Sequence, residues 1–371
     1  MAKEVLVTGG AGFIGSHLCD HLLERGYHVK VLDILDPQVH GISRSRPAYL
    51  DPSVELIVGD VRDGDLVEKA LQNIDIVFHF AARVGVGQSM YQISEYTSVN
   101  NLGTAILLEK IVKKPIKKLV VASSMSIYGE GLYRTREGMT VPGFQRDLGD
   151  LRNGMWELKS PDGEMLEPVP VNENKIPDLS SVYALSKFDQ ERMCLITGRA
   201  YNIPVTALRF FNVYGTRQAL SNPYTGVLAI FASRLLNGNP PLVYEDGNQK
   251  RDFINVRDIA TACILSMEKD EANGEVFNIG SGHAYTITEI ADSLAKVMNK
   301  DIKPVITSNY RAGDIRHCYA DISKARKLLG FNPAVSLDYG LTKLASWIST
   351  QEANDGFEMA GRELVSRGLI V

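Results

Sequence analysis

The chain has 371 residues, 44% of them hydrophobic and 23% charged, a composition that can bury one large core or two and excludes extensive disorder. A formal net charge of -4 provides no basic face for a phosphate backbone, so nucleic acid is not an expected partner. No apolar run approaches the ~20 residues of a membrane span, and a strand pattern begins within the first few residues; no membrane partner and no signal peptide are expected, and the expected location is cytoplasmic.

In chain order, Glu4–Thr8, His28–Asp33, Val54–Gly59, Ile76–Phe80 and Lys118–Ser123 read as strands, with helical patterns between them. Strands alternating with helices of this length predict right-handed βαβ crossovers, and near-continuous apolar strands such as Ile76-Val77-Phe78 predict a sheet covered on both faces. The expected fold class is therefore α/β, a doubly wound parallel Rossmann sheet with a ligand crevice beyond the carboxyl ends of its strands. After Tyr128 the pattern breaks for roughly 40 residues rich in Gly, Pro and charge, which suggests an inserted lid or hairpin at about 130–172. Helical periodicity returns at Ser180–Tyr201 and a strand follows at Val205–Phe210. Val227–Leu236, Val256–Met267 and Ile287–Val297 are assigned to a smaller substrate-binding domain spanning 209–371, after a cofactor domain spanning 1–208. The segment 251–258 is apolar enough to run back into the main sheet. Cys19, Cys194, Cys263 and Cys318 form no C-x-x-C pair, so neither a disulfide framework nor a metal site is expected.

Where the first strand turns into a helix, Gly9, Gly12 and Gly15 are spaced G-x-x-G-x-x-G, and Gly10, Gly12 and Gly15 also satisfy G-x-G-x-x-G. A Cβ there would block a tight turn, the approach of backbone to a pyrophosphate, and the packing of helix on strand. The following helix N-terminus offers free N–H groups to phosphates. Asp33 ends the next strand at about the ~20-residue offset of a ribose-binding carboxylate, which accepts ribose hydroxyls, repels a 2′-phosphate and so selects NAD over NADP. Asp60 and Ala81-Ala82 fall at the same sheet edge, where an Asx-turn and a packing requirement explain them nearly as well. Tyr183 and Lys187 lie four positions apart on one face of a predicted helix. A phenol is a poor base at neutral pH, and a cation held beside it favours the phenolate. Ser123-Ser124, at the end of an upstream strand, supplies a hydroxyl that could hold a substrate oxygen.

Taken together, Thr8-Gly-Gly-Ala-Gly-Phe-Ile-Gly15, Asp60-Val61, Ser123-Ser124-Met-Ser-Ile-Tyr128-Gly and Tyr183-x-x-x-Lys187 resemble the extended short-chain dehydrogenase/reductase family, and within it the nucleotide-sugar 4-epimerases. Asn100-Asn-Leu-Gly103-Thr104, Arg209-Phe-Phe-Asn212-Val-Tyr-Gly, Lys250-Arg251-Asp-Phe-Ile-Asn-Val-Arg-Asp258 and Arg311-Ala-Gly-Asp314 extend the resemblance over nearly the whole chain. It implies that Ser124 and Tyr183 hold the sugar hydroxyl, Tyr183 taking its proton, while Lys187 binds the nicotinamide ribose. It also implies that Phe13, Ile14, Val61, Ala81, Ala82, Asn100 and Ser123 contact NAD. On the substrate side it implies Arg251 and Arg311 as a diphosphate clamp, Asn212 on the phosphates, Asp314 on the nucleoside ribose, and Val84, Ser126, Val227 and Tyr244 as further contacts. Cys318 would lie beside the sugar's C2 substituent, although a buried thiol packed as a small apolar group explains it equally well.

The expected reaction is oxidation at C4 to a 4-keto sugar and re-reduction on the other face, with no net redox. A 4,6-dehydratase would need an Asp-Glu pair after the serine, where this chain has Met125-Ser126, and a uronic acid decarboxylase would need a glutamate also missing there. A non-catalytic NAD-binding protein on the same fold is the alternative of a different class. The insert, with Gln38-Val-His40-Gly41, resembles the dTDP-L-rhamnose 4-epimerases, whose insert often carries paired zinc-ribbon cysteines; none lies between Cys19 and Cys194 here. The family resemblance further implies a homodimer through a four-helix contact made by Tyr91–Val112 and Ser180–Tyr201.

Overall fold

The computed structural model describes residues 3–114, 116–222, 224, 226–310, 314–351, 355 and 357–369. Its centre is a sheet in which β1 (Glu4–Thr8), β2 (His28–Asp33), β3 (Glu55–Val58), β4 (Ile76–His79) and β5 (Lys118–Ser124) are joined by Val205–Phe210 and Val276–Ile279. From one edge the order is Val276–Ile279, Val205–Phe210, β5, β4, β1, β2, β3, and each neighbouring pair is parallel. The period of two explains why these strands read as unbroken apolar runs. Val5, Val7, Ile76, Phe78 and Val120 enter one core, while Leu6, Val77, Leu119 and Val121 enter another on the opposite face. The helices Gly64–Ala70, Gly103–Lys113 and Val182–Tyr201 cover the second face, and α1 (Phe13–Glu24) covers the first. Thr8 is in register with both Leu32 and His79, so the carboxyl ends of β1, β2 and β4 share one rim. The order reverses around β1, which opens the crevice there.

The sheet layer extends beyond the expected boundary at 208/209. Val276–Ile279 forms its outer strand, and the helix Val256–Glu268 places Ile259, Ala262, Cys263 and Ile264 in the same core as Leu18 and Leu22 of α1. Ala325, Leu329 and Phe331 join that core too. The segment 251–258 does not enter the main sheet. Phe253–Asn255 pairs in parallel with Asn212–Tyr214, and Lys250–Arg251 pairs with Tyr285–Thr286 and His317–Cys318. Its apolar character has another cause: Ile254 faces the sheet core, whereas Phe253 faces a separate core built by the helices Val227–Leu236, Ile287–Val297 and Leu337–Ile348. The stretch after Tyr128 contains an antiparallel sheet with Leu132–Arg134 between Thr140–Pro142 and Glu167–Val169. Strands of three residues are too short to leave a period in the sequence.

Candidate active site

The rim of β1, β2 and β4 opens into a groove of about 360 Å³ lined by Gly9, Gly12, Phe13, Ile14, Gly15, Asp33, Asp60, Val61, Ala81, Ala82, Val84, Ser123, Ser124, Tyr183 and Lys187. The glycines differ in what requires them. Gly9 has φ +72° and its Cβ would stand 2.8 Å from the Ala81 backbone nitrogen; a Cβ on Gly15 would stand 2.4 Å from the Gly9 carbonyl oxygen. Turn geometry and helix packing therefore demand both. A Cβ on Gly12 would meet only the Gly9 oxygen, at 3.4 Å. Protein packing leaves that space free at the N-terminus of α1, on the lining of the groove, where unpaired N–H groups favour an anion.

Asp33 is nearly buried and accepts the N–H of Ala11 at 3.0 Å and of Leu35 at 2.9 Å, one on each oxygen. Burial raises its pKa, against the pull of those bonds and of His40, whose Nε2 lies 3.9 Å away. The carboxylate keeps acceptor capacity toward the groove, which it lines. Asp60 holds Arg62 through bonds of 3.0, 3.0 and 2.6 Å; burial acts to raise its pKa but the Arg62 bonds outweigh it and hold the carboxyl below its ordinary value.

On the other side of the groove, Ser126 donates its N–H (3.2 Å) and its hydroxyl (2.9 Å) to Ser124 Oγ. Ser124 is left with its own hydroxyl proton to give. Burial raises the Tyr183 phenol, and hydrogen bonding with Ser124 works the other way. Lys187 is buried, its pKa lowered by that burial to about 8, and its Nζ donates to Gln190 Oε1 at 2.7 Å. Gln190 in turn donates to Thr104 Oγ1 at 2.8 Å, and Thr104 meets His79, which meets Thr8, each at 2.8 Å. Burial first and Lys187 second lower the His79 pKa to about 3, so this chain of contacts from β1 to Lys187 is neutral up to the ammonium at pH 7. The four-residue spacing on the helix predicts the Lys187 charge beside the Tyr183 phenol. The structure instead pairs it with Gln190, and the shifts on Tyr183 come from burial and Ser124.

Several expected contacts stand elsewhere. Asn100 lies behind the groove wall, bonded to Arg83 N, Arg83 O and Ser186 Oγ. Ser126 supports Ser124. Ser123 does line the groove, with its hydroxyl given to Glu191 at 2.7 Å. Asn212, Val227, Tyr244, Arg251, Asp314 and Cys318 are not on the lining of this groove. Val227 opens a helix of the smaller core, and the Tyr244 carbonyl accepts Gln249 Nε2. Asn212 has a buried side-chain oxygen without a partner. Arg251 donates to the carbonyls of Lys250, Ile315 and Arg316 and lies 3.9 Å from the exposed Asp314. Arg311 lies outside the described residues. Cys318 is 1% exposed and shares a buried cluster with Met125, Ile127, Tyr128 and Phe211, which is the setting of the packed-thiol alternative. All four cysteines are free and buried, and no metal-holding group of His, Cys, Asp or Glu occurs among the described residues.

Sequence reasoning missed Asp36, Arg83, Gln218 and Asn222 on the groove, and the Gln190–Thr104–His79 support beneath it. Gln190 had a signal, standing three positions after Lys187 on the same helix face. The loop residues Gln218 and Asn222 had none.

The sequence pattern of the NAD dependent epimerase/dehydratase family matches residues 5–145 and 159–280. A dTDP-L-rhamnose 4-epimerase of Burkholderia thailandensis is 35% identical over 354 residues, covering 94% of this chain and 96% of the relative. A UDP-N-acetylglucosamine 4-epimerase from Methanobrevibacter ruminantium superposes with a TM-score of 0.78 at 31% identity, covering 95% of this chain and 99% of that one. The UDP-glucuronic acid 4-epimerase from Bacillus cereus, solved with UDP-glucuronic acid and NAD, gives a TM-score of 0.76 at 30% identity, covering 93% and 99%.

Proposed function

The chain belongs to the NAD dependent epimerase/dehydratase family, and we infer from that premise that it is an NAD-dependent 4-epimerase of a nucleotide-linked sugar. The observation that carries the reading is the single groove in which the glycine loop and Asp33 share walls with Ser124, Tyr183 and Lys187. Gly9, Gly12 and Gly15 would seat the pyrophosphate against α1, Asp33 the adenosine ribose, and Lys187 the nicotinamide ribose. NAD, when bound, supplies a hydride acceptor and donor. In the mechanism proposed here, Ser124 hydrogen-bonds the C4 oxygen and Tyr183 takes the hydroxyl proton as C4 is oxidised. Tyr183 returns that proton when the 4-keto sugar is reduced on its opposite face. Ser124, with its oxygen already accepting two bonds from Ser126, is oriented as a donor; its one proton favours the Tyr183 phenolate in the free site and is given to the C4 oxygen when the sugar is bound. A dehydratase would need an acid and a base next to Ser124; Met125 there is buried and apolar.

We assign the nucleotide end of the substrate to Arg251, Arg311, Asp314 and Asn212, and its sugar to a dTDP- or UDP-linked form. A homodimer is proposed through the exposed Ile93, Leu102, Leu185 and Ile196. The expected single helix over Tyr91–Val112 is a succession of Ile93–Tyr96, a π-turn at Thr97–Leu102 and Gly103–Lys113. No described helix is long and apolar enough to cross a membrane, and we propose a cytoplasmic location. Incubating the purified protein with dTDP-, UDP- and GDP-sugars without added NAD, and following C4 configuration by NMR, tests the activity. Absence of inversion on every sugar, with NAD bound and unreduced, would sink it in favour of a non-catalytic binding protein.

Two expectations follow from the groove. Asp33→Ala weakens NAD and narrows its advantage over NADP, because the carboxylate both accepts the ribose hydroxyls and repels a phosphate; titration with both cofactors checks this, and an unchanged ratio puts the discriminating group elsewhere. Lys187 loses its charge as pH rises through about 8, so kcat/KM is expected to fall on that side. In Lys187→Arg the alkaline fall should vanish, since a guanidinium stays charged. A profile with the same fall in the variant would assign it to another group.

A further inference from the structure

The insert meets the substrate half of the molecule through a buried polar cluster. Glu130, 6% exposed, accepts the backbone N–H of Arg316 on one oxygen and of His317 on the other, each at 2.7 Å. Its neighbour Gly131 donates N–H to the His317 carbonyl at 2.8 Å, and a Cβ on Gly131 would stand 2.4 Å from that oxygen. Arg146 gives one guanidinium nitrogen to Glu245 at 2.7 Å and to the Asp314 carbonyl at 3.1 Å. The Arg316 side chain is fully buried and bonded to Glu157, Glu245 and Asp246. His317 accepts the Lys250 N–H on Nδ1 and reaches Glu157 through Nε2 at 2.9 Å.

Backbone groups of 314–317 on one edge are thus taken by insert residues, while Arg251 binds the carbonyls of Ile315 and Arg316 and pairs in register with Cys318. A strand of two residues, His317–Cys318, cannot fix its own conformation. It is held from both sides, and the Glu130 carboxylate occupies the place that a neighbouring strand's carbonyls would fill. Arg146 and Glu157 also fall in the gap 146–158 of the family match, so this part of the clamp is outside the shared pattern.

We propose that the insert is a positioning element for substrate: Glu130 and Arg146 hold the segment Asp314–Cys318 in the conformation in which Arg251 and Asp314 receive a nucleoside diphosphate. The proposal rests on the assignment of the nucleotide end to Arg251 and Asp314. It makes the insert a fixed support behind the site in place of a mobile lid.

The test is calorimetric titration of the NAD-loaded protein with UDP and with dTDP, alongside steady-state kinetics and melting curves. Arg146→Met and Glu130→Gln are each expected to raise the Kd of the nucleoside diphosphate about tenfold, the scale of one lost charge-assisted hydrogen bond. KM should rise with it while kcat and bound NAD change less than twofold, and Arg146→Lys should restore part of the affinity. Unchanged nucleotide affinity in a folded variant, with only a lower melting temperature, overturns the proposal and leaves the insert a buttress. If Arg146→Met fails to fold, Glu130→Gln, which keeps one acceptor oxygen, decides alone. Arg251→Met is the control on the underlying assignment: wild-type nucleotide affinity in that variant would show that the nucleotide binds elsewhere, whatever the insert variants do.

Discussion

Tyr183→Phe is expected to lower kcat by at least about 100-fold, the scale of a lost general acid–base group. The substitution removes one oxygen and little else. The ring of Tyr183 stands edge-on to that of Tyr96, with centroids 6.5 Å apart and planes at 88°, and phenylalanine keeps that contact. The Tyr183 N–H is held by Ser89 Oγ at 3.0 Å, so the start of its helix stays in place, and Ser181 caps the same helix through Ala184 N–H. Ser124 keeps both bonds from Ser126. Folding and NAD content should therefore match wild type while turnover collapses. Single-turnover reduction of bound NAD by substrate is the sharper measurement, because it reads the oxidation half-reaction alone. Turnover within a few-fold of wild type would take Tyr183 out of the proton transfer.

The cofactor half was legible in the sequence because each of its constraints is local. A strand buried on both faces must be apolar at every position, and the glycine loop and Asp33 stand within about one βα unit of each other. Glu4–Thr8, His28–Asp33 and Val205–Phe210 have the same bounds in the sequence pattern and in the structure. The substrate half was much less legible because its contacts join distant segments. Glu130 and Arg316 are 186 positions apart, and nothing near either one announces the other. The strand Val276–Ile279 has four residues, and only its pairing with Val205–Phe210 marks it as part of the main sheet. Lys187 shows the same limit within the site. The spacing from Tyr183 put both on one helix face, but the competing acceptor, Gln190, decides where the ammonium goes.

The glycine loop gives the second large effect, and comparing two of its members separates cofactor from fold. In Gly9→Ala the new Cβ meets the Phe80 and Ala81 backbone at 2.9 and 2.8 Å, at φ +72°. Backbone cannot rotate away as a side chain can, and the left-handed conformation alone costs an L-residue about 1–2 kcal/mol. That variant should melt several degrees lower, on the scale of ~2–4 °C per kcal/mol for a domain this large. Gly12→Ala differs. Gly12 has φ -74°, which alanine adopts freely, and its nearest protein atom would be 3.4 Å away. The loss of an N-cap glycine is the remaining penalty, below about 1 kcal/mol. Its melting temperature without cofactor should stay close to wild type. The added methyl does enter the space at the head of α1, and crowding there by one carbon costs roughly 1–3 kcal/mol, equivalent to a roughly fivefold to 150-fold loss of NAD affinity. Dialysis followed by NAD titration, with melting curves with and without the cofactor, distinguishes the cases. If Gly12→Ala retains NAD as wild type does, the pyrophosphate does not cross Gly12. If it melts as low as Gly9→Ala in the absence of NAD, the fold and not the cofactor requires that glycine.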